Sequence, residues 1–310
     1  MKPRPRIICV VGPTSSGKTR LGIHLAQTLQ GEVVNADSRQ VYKDIGIGTG
    51  KPQGVRGVVE GHRSFIVESV PHHLMDFVQP TKLFTVVEWR QKATKALKEI
   101  LKRKHLPIVV GGTGLYISAL VDNFTFPEVP PSPTLRSAFE SKPLSELVNL
   151  LLKLDPEARQ IVDLKNPRRV IRALEVSTFT GKPFTAQKTV GKQVYDVFQI
   201  GLVWPREELY ARIDAEVDRM IDRGWIEEIR EALKRGVPEN APALTSIGYR
   251  DLFMYLKGEK TLEQAIAAAK QAVRHYAKRQ ETWFKRDKRI HWAHSIDEAT
   301  ELVKQWLTPQ

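Results

Sequence analysis

The sequence predicts an α/β fold, a parallel-sheet core with an inserted helical lobe, and three observations carry that expectation. An apolar run, Ile7-Ile8-Cys9-Val10-Val11, leads straight into a glycine-rich loop and then a helical repeat of leucines. Strand-like and helix-like segments alternate as far as residue 121, the pattern of strands joined by crossover helices. The strand pattern lapses in a proline-rich stretch over 126–133 and resumes at Val194.

The first run lacks polar alternation, which suits a strand covered on both faces. Gly12-Pro13-Thr14-Ser15-Ser16-Gly17-Lys18-Thr19 follows it and fits G-x-x-x-x-G-K-T. In such a loop backbone N–H groups cradle phosphate oxygens, the lysine adds a point charge and the final hydroxyl can ligate magnesium. Leu21, Leu25 and Leu29 recur at helical spacing, and Gly31 supplies a stop. Residues 32–36 read as a second strand ending at Asp37-Ser38-Arg39-Gln40. Trp89, Ala93, Leu97 and Ile100 mark one face of a helix over 86–104, and 107–110 form a third strand that runs into Gly111-Gly112-Thr113-Gly114. Residues 134–185 read as helices broken by prolines, with no strand-like run. The expected organisation is therefore a P-loop NTPase-like core over 1–123 and 194–310, mostly helical after 206, with an all-helical insertion over 124–193. No internal repeat or low-complexity tract is present.

Apolar residues at 41% and charged residues at 27% of 310 are ordinary for a globular chain. Cys9 is the sole cysteine, so no intramolecular disulfide can form, which points to a reducing compartment such as the cytoplasm. No segment approaches the length of a membrane span. Lys and Arg total 48 against 35 acidic residues, a net charge of +13. An enzyme of small metabolites has no need of that excess, whereas a nucleic-acid partner explains it. The charge concentrates in three places. Arg168, Arg169 and Arg172 share a face of a helix opened by Pro167. Arg212, Arg219 and Arg223 recur beside the apolar stripe Leu209, Ile213, Val217 and Met220. Lys270, Arg274 and Lys278 follow a capping pair, Thr261 and Gln264. Each stripe alone reads also as a solvated helix face, but acidic partners at i±4 are sparse around 270–279, which favours phosphate contacts.

A nucleotide hydrolase of this class adds an acidic residue at the end of a later apolar strand, and here that strand ends in glycine. Two chemistries remain: a small-molecule or nucleoside kinase, or an enzyme whose loop holds a diphosphate leaving group. Asp37 falls on the strand rim where ligands gather and can take a proton from a nucleophile, although a turn or N-cap role suits it equally. The Thr113 hydroxyl can bond a substrate, while its neighbouring glycines read equally as a tight turn. His72, His73 and Asp76 match no metal spacing.

Several strings in order resemble the bacterial tRNA dimethylallyltransferase family over nearly the whole chain. Beyond the phosphate loop they are Ala36-Asp37-Ser38-Arg39-Gln40-Val41-Tyr42, Pro71-His72-His73-Leu74-Met75-Asp76 and Val110-Gly111-Gly112-Thr113-Gly114-Leu115-Tyr116. Arg172-Ala173-Leu174-Glu175, Ile247-Gly248-Tyr249-Arg250 and a run from Tyr276 to Phe284 complete the set. The resemblance implies transfer of a dimethylallyl group from dimethylallyl diphosphate to the exocyclic amine of the adenine 3′ of the anticodon. It implies that residues 12–19 hold the diphosphate with Mg2+, with Thr19 on the metal, and that Asp37 is the general base. Ser38, Arg39, Gln40 and Thr113 would contact the base, and Arg212 would neutralise the departing diphosphate. Arg136, Arg168, Arg169 and Arg172 would belong to the lobe that clasps the anticodon stem-loop, with Arg274 and Lys278 as further tRNA contacts from the charge pattern. Asn35 stands where the family commonly has serine, and Ser15 where it has alanine. No zinc-finger-like tail and no obligate protein partner are expected.

Overall fold

The computed structural model describes residues 3–125, 127, 129, 132–187 and 189–308. The chain divides into two compact units, one of Met1–Val121 with Val194–Gln310 and one of Asp122–Gln193. The larger unit opens with β1 (Arg6–Val11), α1 (Lys18–Thr28), β2 (Gly31–Asn35), β3 (Val55–Val59), β4 (His62–Val67) and β5 (Val70–His73). It continues with α2 (Val86–Lys102), β6 (Leu106–Gly111) and α3 (Gly114–Val121). The smaller unit contributes β7 (Phe124–Thr125), α4 (Pro133–Glu140), α5 (Leu144–Leu154), α6 (Ala158–Ile161), α7 (Pro167–Thr180) and β8 (Thr189–Val190). The larger unit then resumes as β9 (Asp196–Leu202), α8 (Arg206–Asp222), α9 (Trp225–Lys234) and α10 (Tyr249–Leu256). It ends with α11 (Leu262–Phe284), β10 (Ile290–Ala293) and α12 (Ile296–Leu307).

One sheet runs in the order β10-β9-β1-β6-β2-β5-β4-β3, parallel from β10 to β5 and antiparallel across β4 and β3. Alternation along β1 explains its wholly apolar run. Ile8 and Val10 pack in a cluster with Leu21 and Leu25 of α1, whereas Ile7, Cys9 and Val11 join Trp89 and Leu97 of α2 on the other face. Burial pushes the Cys9 thiol up to about 12, so it is a packed hydrophobe and no nucleophile. The β3–β4 hairpin and the four-residue β10 escape the sequence pattern because their strands are short and mixed in polarity. No helix among the described residues is long and apolar enough to cross a membrane.

The helix-only reading of the insertion needs one correction. β7 and β8 pair antiparallel, Phe124 opposite Val190, and Asn123 Nδ2 donates to the Lys192 carbonyl at 3.0 Å beside them. A two-residue ladder is too short to register as a periodic run. Above it, Leu147 and Leu151 of α5 pack on Val170, Ile171 and Leu174 of α7, whose N-cap is Asn166 with Pro167 at the first helical position.

In the larger unit, the carboxyl ends of β9, β1, β6 and β2 adjoin in that order. The loops that follow them share one rim, where doubly wound sheets collect ligands.

Candidate active site

The rim begins with an uncapped helix. Gly17 holds the N-cap of α1 at φ 94°, a left-handed conformation that suits glycine, and the first turn carries no acidic residue. The leading N–H groups of α1 are thus left for an anion. Lys18 Nζ donates to the Pro13 carbonyl at 3.0 Å, arching over the loop. Burial lowers the Lys18 pKa, and the nearby charge of Asp37 opposes that shift. Lys18 and Asp37 line one cavity together with Thr19, Asn35 and Gln40, and the Thr19 hydroxyl has no protein partner among the described residues.

Other elements grip the loop by its carbonyls. Trp204 Nε1 donates to Ser16 at 2.8 Å and Arg212 Nε donates to Ser15 at 3.0 Å, with the guanidinium 4.1 Å over the Trp204 ring. From α11, buried Gln280 accepts the Thr14 N–H at 2.8 Å and donates to the Gly112 carbonyl at 2.9 Å. Sequence reasoning missed Gln280, although a signal existed: it interrupts the buried stripe Ala277, Gln280, Phe284 at helical spacing.

Asp37 closes its own turn, its Oδ1 accepting from the N–H groups of Arg39 at 2.8 Å and Gln40 at 3.4 Å. Its Oδ2 has no hydrogen-bond partner among the described residues. The turn role and a free carboxylate oxygen therefore coexist. Asn35 seats this turn: its Oδ1 accepts from Asp37 N–H at 3.1 Å, and its Nδ2 donates to the carbonyls of Asp37 at 3.2 Å and Leu74 at 3.0 Å. Ser38 N–H donates to Thr113 Oγ1 at 2.9 Å, and that hydroxyl donates to Ser38 Oγ at 3.3 Å. Arg39 and Gln40 are occupied elsewhere. Arg39 Nη1 donates to the Pro242 carbonyl at 2.6 Å, and Gln40 Nε2 to that of Gly50 at 3.0 Å. Asp37 also lines a second cavity of about 180 Å³, together with Thr14 and Ser15 and with the apolar Ile213, Val217, Met220 and Trp225.

The basic stripes divide into exposed and paired residues. Arg168 and Arg169 are exposed on α7. Arg136 and Arg172 differ from them in having an acidic partner: both bind buried Glu175, Arg136 through Nε at 2.9 Å and Arg172 through Nη1 at 3.4 Å. Lys278 is exposed, but Arg274 makes a two-pronged pair with Asp214 at 2.8 and 2.7 Å, and Lys270 pairs with Asp218 at 2.7 Å. His72, His73 and Asp76 are structural. His72 Nδ1 lies 3.0 Å from the Val70 carbonyl, His73 Nε2 is 2.6 Å from Glu32, and Asp76 accepts from Lys51 at 2.5 Å.

A family model described as IPP transferase matches residues 40–287, and another, described as isopentenyl transferase, matches residues 5–72. The chain belongs to the IPP transferase family. A tRNA dimethylallyltransferase of Anoxybacillus flavithermus is 41% identical over 295 residues, covering 94% of this chain and 91% of the relative. One from Streptomyces coelicolor is 41% identical over 311 residues, covering 99% and 96%. Among solved structures of the family, the tRNA isopentenylpyrophosphate transferase of Bacillus halodurans superposes with a TM-score of 0.69 at 35% identity, covering 98% of this chain and 96% of that one. A eukaryotic dimethylallyltransferase solved acting on tRNA gives 0.77 at 28% identity, covering 98% and 77%. The parallel core predicted from sequence is thus the fold of this IPP transferase family member.

Proposed function

We propose that this chain moves a dimethylallyl group from dimethylallyl diphosphate to the exocyclic amine of the adenine just 3′ of the anticodon in tRNA, releasing diphosphate. The observation that carries the reading is an Asp37 carboxylate with an unpartnered oxygen, which lines a small cavity with Lys18 and Thr19 and a larger one of about 180 Å³ with Thr14 and Ser15. The nitrogen–carbon bond forms as the carbon–oxygen bond to diphosphate breaks, the leaving group keeps its electron pair, and Asp37 takes the amine proton. The N-terminus of α1 and Lys18 receive the anion, and Arg212 adds positive charge behind the loop. The apolar lining of the adjoining cavity excludes water from the reacting pair.

The residues fit magnesium held mainly through the diphosphate. The Thr19 hydroxyl is unpartnered, and no group of three or more His, Cys, Asp or Glu side chains among the described residues forms a cage of its own. The chemistry such an ion supplies is neutralisation of charge on the leaving diphosphate. The net charge of +13 and exposed Arg168, Arg169 and Lys278 suit a phosphate backbone. The anticodon stem-loop is the natural substrate region, because unstacking a base costs about a few kcal/mol and least in a loop. The lone buried thiol accords with a cytoplasmic location.

The kinase alternative is not favoured, since the relatives act in prenyl transfer by name. Incubation with undermodified tRNA, magnesium and radiolabelled dimethylallyl diphosphate is expected to label the tRNA, whereas phosphate passing from labelled ATP to a small acceptor would restore the kinase. Asp37→Ala is expected to lower turnover about 10²–10⁴-fold while tRNA affinity holds. Normal turnover with poor tRNA binding would reassign Asp37 to recognition.

A further inference from the structure

We propose that the cleft between the β3–β4 hairpin and α2 is a second phosphate-ester site, which takes one nucleotide either free or as a residue of an RNA strand. The cleft has a volume of about 710 Å³, within the range of roughly 300–1,000 Å³ typical of small-molecule sites. Lys43, Arg63, Lys92 and Lys95 line it, and none of them closes an ion pair among the described residues, Lys95 acting on Glu99 only through its nearby charge. The acids on its walls are already answered. Asp76 accepts from Arg56 at 2.6 Å and from Lys51 at 2.5 Å, and Glu99 pairs with Lys102 at 3.2 Å.

Cations gathered on a concave wall repel one another, and the low-dielectric sides of a cleft focus their field. An anion relieves that repulsion and is concentrated by the same field. Phe77 lines the cleft beside the charges, with Lys92 Nζ 5.9 Å from its ring centre, so a flat base finds apolar surface next to its phosphate. The cleft is separate from the phosphate loop, but His72 and Met75 form a wall common to both cavities. An occupant of the cleft therefore backs onto the reaction site. The RNA source rests on the transferase reading, and the free-nucleotide source does not.

The test uses the full chain, with fluorescent mant-AMP and undermodified tRNA as probes. The exposed pair Arg63→Glu/Lys95→Glu is compared with Lys18→Ala, which disables the phosphate loop. A free-nucleotide site predicts mant-AMP binding that survives Lys18→Ala and weakens at least about tenfold in the double variant. An RNA subsite predicts instead that the double variant binds tRNA more weakly, with a salt slope shallower by about two. Unchanged binding of both probes overturns the proposal, as does mant-AMP binding that Lys18→Ala abolishes and the double variant retains. Prenyl transfer at saturating tRNA, lost in Lys18→Ala and kept in the double variant, separates failure of this site from failure of the transferase reading.

Discussion

Asn35 holds both backbone groups of Asp37, and an alanine there leaves a buried N–H and two carbonyls without partners. Asn35→Ala is expected to cut single-turnover transfer by about ten- to a hundredfold with little change in KM for tRNA, the signature of a misplaced base. Asn35→Asp brings a second carboxylate to Asp37. Its oxygens accept but cannot donate to the carbonyls of Asp37 and Leu74, so single-turnover transfer is expected to fall about as far as in Asn35→Ala. Lys18 supplies a prediction on the alkaline side. Burial lowers its pKa from 10.5, so it loses its proton, and with it the bound anion, at lower pH than an ordinary lysine. Calorimetric titration with pyrophosphate is expected to show affinity falling as pH rises toward 10.5, and Lys18→Ala to flatten that fall. The turn chemistry of Asp37 was legible from residue type and position. The grip of Asn35 was not, because it depends on how the end of β2 folds back beside Leu74.

The pairing of α8 with α11 shows where sequence spacing misleads. No acid stands one turn from Lys270 or Arg274 on α11, but Asp218 and Asp214 reach them from an antiparallel neighbour. Arg274 is 36% and Asp214 31% exposed, so the pair contributes modestly. A double-mutant cycle on Arg274→Ala and Asp214→Ala, read by urea unfolding, is expected to give a coupling of about 0.2–1 kcal/mol. In the same series Lys278→Ala is expected to lower the salt slope of tRNA binding by about one, and Arg274→Ala to leave it nearly intact. Helix starts were legible at this scale, since the Thr261–Gln264 box forms and Pro167 opens α7, and each is specified within four residues. Strands β3, β4 and β10 were not, because each is short and mixes exposed with buried positions, which blurs any strand period.

Across the larger unit, Glu32 works as a hub beneath the sheet. Its side chain is 2% exposed and binds Arg103 through two bonds of 2.8 Å, His105 at 2.8 Å and His73 at 2.6 Å. Burial raises its pKa, but bonds from His73, Arg103 and His105 outweigh that and hold it below the ordinary 4.5. A carboxylate depressed in the folded state adds stability that is complete above pH 4.5 and fades as pH falls further. Thermal melts across pH are expected to show that acid limb flattened in Glu32→Gln, together with a loss of about 1–3 kcal/mol at neutral pH, since Arg103 keeps Glu60 at 3.4 Å as its remaining acidic partner. The phosphate loop, the parallel core and the polyanion partner were legible as local strings and bulk charge, whereas a hub drawn from three separate segments leaves no such trace. The glycines after β6 have a consequence of another kind. A side chain at Gly111 would collide with the Ala36 backbone, and one at Gly112 with the Gln280 amide. The place where a nucleotide hydrolase carries its metal-holding acid is thus closed by steric exclusion. An acidic side chain at Gly111 could enter only by pushing aside the backbone that leads into the Asp37 turn.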